Sequence, residues 1–252
     1  MNKARYYTII FTAVLFLHGL TAHAQQYEVG LGLGAGSYTG DIIRTIDPTQ
    51  LGIQGTLFGR RNFDNAWSLR AGLTVSRLNA TDSIRPIDPV AMVRNAYFTG
   101  TMVELAATME FHFLDYMNHR SSSRFSPFGF FGLGVGTFFG NGQSYSADPQ
   151  PGSYRMTSAI LPFGMGIKYK LKDRLLLSFE GGAKATFSDY LDKIATDPIA
   201  LPRFRTDPGT GDPVLDPNAI NFGNLSDRDW YYFLGFTISY SFHQIKCYPY
   251  NN

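Results

Sequence analysis

The chain has 252 residues with 22 basic and 20 acidic side chains, a balance that offers nucleic acid no basic face. It carries 21 Phe, 15 Tyr, 2 Trp and 26 Gly, yet beyond the N-terminus no apolar run nears the ~20 residues of a membrane helix. Its one cysteine, Cys247, excludes an internal disulfide.

Residues 1–24 read as a secretory signal. Lys3 and Arg5 form a positive start, Ile9 to Leu17 a short apolar core, and Ala22-His23-Ala24 an A-x-A cleavage site. No Cys follows that site, as a lipoprotein would require. The remaining chain, 25–252, has equal numbers of acidic and basic residues and suits a single all-β domain.

Eight segments then alternate with a period of two, at about 27–40, 50–60, 66–78, 100–113, 127–139, 156–170, 174–187 and 229–242. In the first, Tyr27, Val29, Leu31 and Leu33 oppose Glu28, Gly30, Gly32 and Gly34. In the last, Tyr232, Leu234, Phe236, Ile238, Tyr240 and Phe242 oppose Phe233, Gly235, Thr237, Ser239 and Ser241. Alternation alone fits either a soluble sandwich or a strand with lipid on one side and a polar lumen on the other.

The connections separate these readings. Those after the second, fourth and sixth segments are short (61–65, 114–124, 171–173). Those after the first, third, fifth and seventh are longer (41–49, 79–99, 140–155, 188–228). Transmembrane barrels alternate short periplasmic turns with long extracellular loops. The expected fold is therefore all-β: an eight-stranded antiparallel barrel in the outer membrane, with both termini periplasmic and a short tail at 243–252. The apolar face is expected to meet outer-membrane lipid. The inward set contains Glu28, Arg70, Glu104, Glu110, Lys168, Glu180 and Lys184, both signs, so a paired charge network filling the lumen is expected. An eight-stranded barrel is just wide enough for side chains to fill, which argues against an open pore.

Other motifs carry little chemistry. Gly30-x-Gly32-x-Gly34-x-Gly36 lacks the spacing and following helix of a nucleotide loop; it reads as small lumen-facing residues beside bulky ones. Seven Asp-Pro pairs, beginning with Asp47-Pro48, lie in the long connections and read as turn chemistry. No EF-hand loop and no G-x-S-x-G elbow occurs. Beyond the signal, histidine occurs only at His112, His119 and His243, at or past the periplasmic end. No catalytic residue, cofactor or metal site is expected.

Tyr27-Glu28-Val29-Gly30 leading to Ser37-Tyr38-Thr39-Gly40-Asp41, the phrase Asp189-Tyr190-Leu191-Asp192 after the seventh segment, and Asp229-Trp230-Tyr231-Tyr232-Phe233 with its closing aromatic strand resemble a Bacteroidetes family of outer-membrane barrels. That family includes the PorG-like barrel component of the type IX secretion and gliding apparatus. Between the fifth and sixth segments only Leu161-Pro162-Phe163-Gly164 matches its pattern. The resemblance implies a non-enzymatic anchor or scaffold in an envelope complex, above a periplasmic ring or lipoprotein partner. The partner-facing residues would be His119, Arg120 and Arg124 in the 114–124 turn and Cys247 in the tail. The residue types of Asp189, Tyr190 and Asp192 are accounted for by turn capping and an interfacial tyrosine, with a partner contact as the other reading. The alternative function is a small structural or porin-like transport barrel with ligand-binding extracellular loops.

Overall fold

The computed structural model describes residues 26–43, 46–84, 91, 94–115, 124–144, 151–172, 174–188, 191–192, 194, 205–206, 209–211, 213–214 and 229–242. The expected signal segment and the 243–252 tail lie outside them. Eight long strands form the wall: β1 (Gln26–Thr39), β2 (Gly52–Asn62), β3 (Trp67–Thr81), β4 (Tyr97–His112), β5 (Phe125–Gln143), β6 (Gly152–Lys172), β7 (Leu175–Thr186) and β10 (Trp230–Phe242). Between β7 and β10 lies a two-stranded ribbon, β8 (Arg205–Thr206) and β9 (Pro213–Val214), which the periodicity does not reveal. The wall closes in the order β1-β10-β7-β6-β5-β4-β3-β2, every neighbour antiparallel. The closing pair runs from Tyr27 opposite Phe242 to Thr39 opposite Trp230. Closure leaves no strand edge unpaired, the condition for a sheet to cross lipid.

Within the belt the outward row of each strand is mainly apolar and largely exposed. On β4, Leu105 is 66 % exposed while its neighbour Glu104 is 1 % exposed, an inversion that no water-soluble core would tolerate. Outward apolar residues on this strand and just past its end run from Val103 to Phe113. At about 3.3 Å per residue and a tilt of ~40°, that band stands about 25 Å tall, the height of an outer-membrane barrel's belt. Rings mark its lower rim, with Trp67 against Phe111 at 4.9 Å and Tyr240 against Phe242 at 5.2 Å; Phe163 and Trp230 meet at 5.9 Å toward the other end. Amphipathic rings belong at these depths.

Strand ends differ from the expected ones most at the long-loop end. β5 and β6 continue to Gln143 and from Gly152, so their connection is 144–151, shorter than the 12 residues of 113–124 at the opposite end. The apolar alternation stops at the membrane surface, but the backbone ladder continues beyond it between polar residues such as Asn141 and Ser153. Periodicity sees only the first of these. Asp47 does cap its turn, its carboxylate accepting from Thr49 N at 2.9 Å with Pro48 opening a 3-10 turn.

Candidate functional site

The lumen holds all seven residues expected there: Glu28, Arg70, Glu104, Glu110, Lys168, Glu180 and Lys184 are each buried. They do not form one uniform network. In the lower storey, nearest the termini, Glu110 is the shared counter-ion of three cations: Arg60 Nε at 2.8 Å, Arg70 Nε at 3.1 Å and Lys168 Nζ at 3.4 Å. Arg60 also pairs with Glu28, which accepts from Asn62 at 2.7 Å and from Ser239 at 3.1 Å. Arg70 pairs with Glu180 at 2.7 Å. Three carboxylates thus face three cations, the balance that buried charges need.

Arg60 is the hub and was absent from the expected network, although its place on the inward row of β2 was legible. Arg60 and Arg70 are register partners on β2 and β3, so two guanidinium groups lie side by side, and only the carboxylates reaching in from β1, β4 and β7 make that tenable. His112 closes the lower end: its Nε2 lies 3.0 Å from Ser68 Oγ and its ring 5.6 Å from Phe128.

Aromatic side chains cover the cations. Arg60 and Arg70 lie over Phe58 at 4.9 and 5.5 Å, Lys168 over Phe128 at 5.2 Å, and Lys184 over Phe233 at 4.9 Å. Glycines make the room. A Cβ on Gly30 would come within 2.4 Å of the Phe58 ring, which supports the packing reading of the Gly-x-Gly run. Above this layer Lys184 donates to Glu104 at 2.6 Å. Between the Arg70–Glu180 and Lys184–Glu104 pairs remains a cavity of about 50 Å³, room for only a handful of waters.

The upper storey is an apolar plug. Tyr38, Phe98, Met102, Phe138, Met156 and Tyr231 from the wall pack with Ile42, Ile43, Leu191 and Ile194 from the loops. Polar clamps hold the loops in place. Arg94 binds Asp82 through two 2.8 Å hydrogen bonds and donates to the Asp41 carbonyl at 3.0 Å, joining the β3–β4 and β1–β2 connections. Tyr154 donates to the Leu191 carbonyl at 2.6 Å, and Leu191 N donates to Asp229 at 2.8 Å.

Tyr38 Oη lies 2.8 Å from a carboxylate oxygen of Asp192 and 2.8 Å from one of Asp229. A phenol has one proton to donate, so the second short contact needs a proton from the acid side. Burial, followed by the Asp229 charge, pushes the Asp192 carboxyl well above its ordinary range, which supplies that proton. Asp192 also accepts from Ile194 N at 2.9 Å. It therefore caps a local turn and also anchors the loop to β1. Asp189 and Tyr190 lie outside the described residues.

Of the expected partner-facing residues, Arg124 is exposed at the start of β5, its carbonyl accepting from Lys170 N at 2.7 Å. His119, Arg120 and Cys247 lie outside the described residues. Among the described residues no group of three His, Cys, Asp or Glu is placed to hold a metal ion.

A family model described as a domain of unknown function (DUF6089) matches residues 5–251. No curated protein matches the chain in sequence. Several solved structures are similar in outline. The attachment invasion locus protein Ail of Yersinia pestis shares 14% identity over 87% of this chain and 100% of its own, with a TM-score of 0.43. Neisserial surface protein A shares 9% identity over 87% and 100%, at 0.42. A major outer membrane protein from Thermus thermophilus shares 16% over 87% and 100%, at 0.46. Identities and superpositions at this level say nothing about activity.

Proposed function

For a chain that belongs to the DUF6089 family of domains of unknown function, we propose a role as a non-enzymatic, non-conducting outer-membrane anchor: a scaffold barrel in an envelope protein complex. The observation that carries this reading is the filled lumen. Charge pairs occupy its lower half, an apolar plug its upper half, and the cavity between them measures about 50 Å³. A solute path would require breaking buried ion pairs, each a loss of about 3–5 kcal/mol. The wall, not the interior, is then the surface with which the protein works.

The long connections face outward in this reading and both termini face the periplasm. On the resemblance of its sequence motifs, the complex is of the type IX secretion kind. The 114–124 connection, with exposed Arg124, and the 243–252 tail meet a periplasmic ring or lipoprotein partner. A photo-crosslinking side chain at position 124, followed by purification from membranes, tests this. A periplasmic ring protein in the cross-linked product is the expected result. No envelope protein captured, together with secretion intact on deletion, ends the reading.

The second reading is a small transport barrel with ligand-binding outer loops. The ordered Arg94–Asp82 and Tyr38–Asp192 clamps favour it to the extent that they give those loops a defined surface. Planar-bilayer recording separates the two: robust conductance favours transport, and silence favours the anchor.

A further inference from the structure

The lipid-facing wall changes character along one row of residues. Arg77 on β3 pairs in register with Thr101 on β4, Thr101 with Phe139 on β5, and Phe139 with Arg155 on β6. All four lie on the outward face. Two rows toward the termini the same strands present Leu73, Leu105, Val135 and Ala159, all apolar; one row the other way they present Asn79, Thr99, Asn141 and Ser153, all polar. Between the apolar row and that of the arginines, the row Val75, Val103, Thr137 and Thr157 is mixed, so the edge of the membrane belt at the long-loop end falls across these two rows.

Two arginines flank the row from Arg77 to Arg155. Both are exposed, and among the described residues neither has an acidic partner. The Arg155 guanidinium lies 5.1 Å over the Phe139 ring, which holds it against the wall. Between the arginines the wall carries a broad, shallow depression lined by Arg77, Thr99, Thr101, Asn141, Ser153 and Arg155 among others, with no Asp or Glu in it. Three strand spacings of about 4.8 Å put the two arginine backbones ~14 Å apart. Arms of that length can close on one phosphate or grip two on a single headgroup. Guanidinium forks match phosphate oxygens in geometry as well as charge.

We propose that this row binds the phosphorylated headgroup of an outer-leaflet lipid. Arg77 and Arg155 donate to the phosphate, Thr101 and Asn141 hydrogen-bond the polar headgroup, and the acyl chains run down the wall over Val75, Val103 and Val135. The side of the membrane, though not the chemistry of the row, rests on the outward placement of the long connections proposed above.

The test uses the full-length protein extracted from its own membranes in mild detergent, with co-purified lipid identified by native mass spectrometry. Wild type is expected to retain phosphorylated glycolipid, and Arg77→Ala/Arg155→Ala to retain about tenfold less. Arg77→Lys/Arg155→Lys should recover part of the loss. Arg61→Ala, which removes an arginine stacked on Phe63 at the opposite rim, should change nothing. A heat-dependent gel shift certifies that each variant is folded. Equal retention by the double alanine variant overturns the proposal. So does displacement of the lipid by millimolar inorganic phosphate, which would mark a site for the free ion, or arginine-dependent retention of glycerophospholipid alone, which would mark the inner leaflet. Labelling of Ser153→Cys in a Cys247→Ser background, by an impermeant maleimide on intact cells, reads the orientation separately. Failure to label overturns the outward placement, while the arginine dependence of retention still judges the row.

Discussion

Arg60 reaches from β2 past β3 to Glu110 on β4, Nε to Oε2 at 2.8 Å, with both side chains sealed from solvent. The bond spans two strands that are not neighbours, so it ties the barrel across its interior as well as along its wall. Glu110 is also the counter-ion of Arg70 and Lys168, so its removal leaves three cations against two carboxylates, with Lys168 losing its carboxylate. Glu110→Ala is expected to cost at least about 3–5 kcal/mol, read as a lower urea midpoint for unfolding from lipid vesicles. The joint replacement Arg60→Met/Glu110→Met should cost less than Glu110→Ala alone, because no charge in that pair is left stranded. A larger loss for the double variant would show that the pair is not coupled.

The Asp192 clamp makes the cap at the long-loop end sensitive to pH. Burial and the Asp229 charge raise the Asp192 carboxyl above its ordinary range, so the folded cap holds a proton that the opened loop releases. Its stabilisation is then complete below the ordinary carboxylate range, about pH 4, and is lost as pH rises through that range toward the raised folded value. Protease nicking of the 187–229 connection should accelerate with rising pH in wild type. In Asp192→Asn, which cannot lose the proton, nicking should show little pH dependence. Tyr38→Phe, which removes the shared hydroxyl, should nick faster at every pH.

Glycines of the same wall should differ sharply in what they tolerate. A Cβ on Gly34 would lie 2.4 Å from the Leu234 carbonyl oxygen and 2.8 Å from the Gly235 Cα, both backbone atoms of the closing strand, which no rotamer change can move. Gly34→Ala is expected to destabilise by about 1–3 kcal/mol and to slow closure between β1 and β10. Gly55 faces outward, and a methyl group added there would meet nothing within 4 Å, so Gly55→Ala should be within about 0.5 kcal/mol of wild type. Refolding yield into vesicles, followed by the heat-dependent gel shift, measures both.

The inside-out pattern predicts opposite responses from outward and inward residues of neighbouring strands. Ala107→Arg, outward and exposed, puts a cation into the middle of the apolar belt and should cost about 2–4 kcal/mol. Thr74, inward and half-buried beside the central cavity, should accept Thr74→Ser with little change. Equal effects at the two positions, measured as unfolding midpoints in vesicles, would contradict the assignment of faces.

Much of this architecture is local in origin, and so legible in the chain. A period of two assigns every side chain to one of two faces, which is why the chain alone puts Leu105 outside and Glu104 inside, and why all seven expected lumen charges are found within. The side on which lipid lay needed only the loop lengths. What only the tertiary structure decided is which inward residues meet. Arg60 meets Glu110 because closure and register bring β2 and β4 to the same level of the lumen, and period two carries no information about level. Leu191 and Asp192 lie at the core of the long-loop cap because Tyr38, Tyr154 and Asp229 arrive there from three distant parts of the chain. The row from Arg77 to Arg155 exists only across four strands. Each arginine alone reads as an ordinary charge at a strand end; set three strands apart at one depth, on a wall with no acid between them, they become a pair.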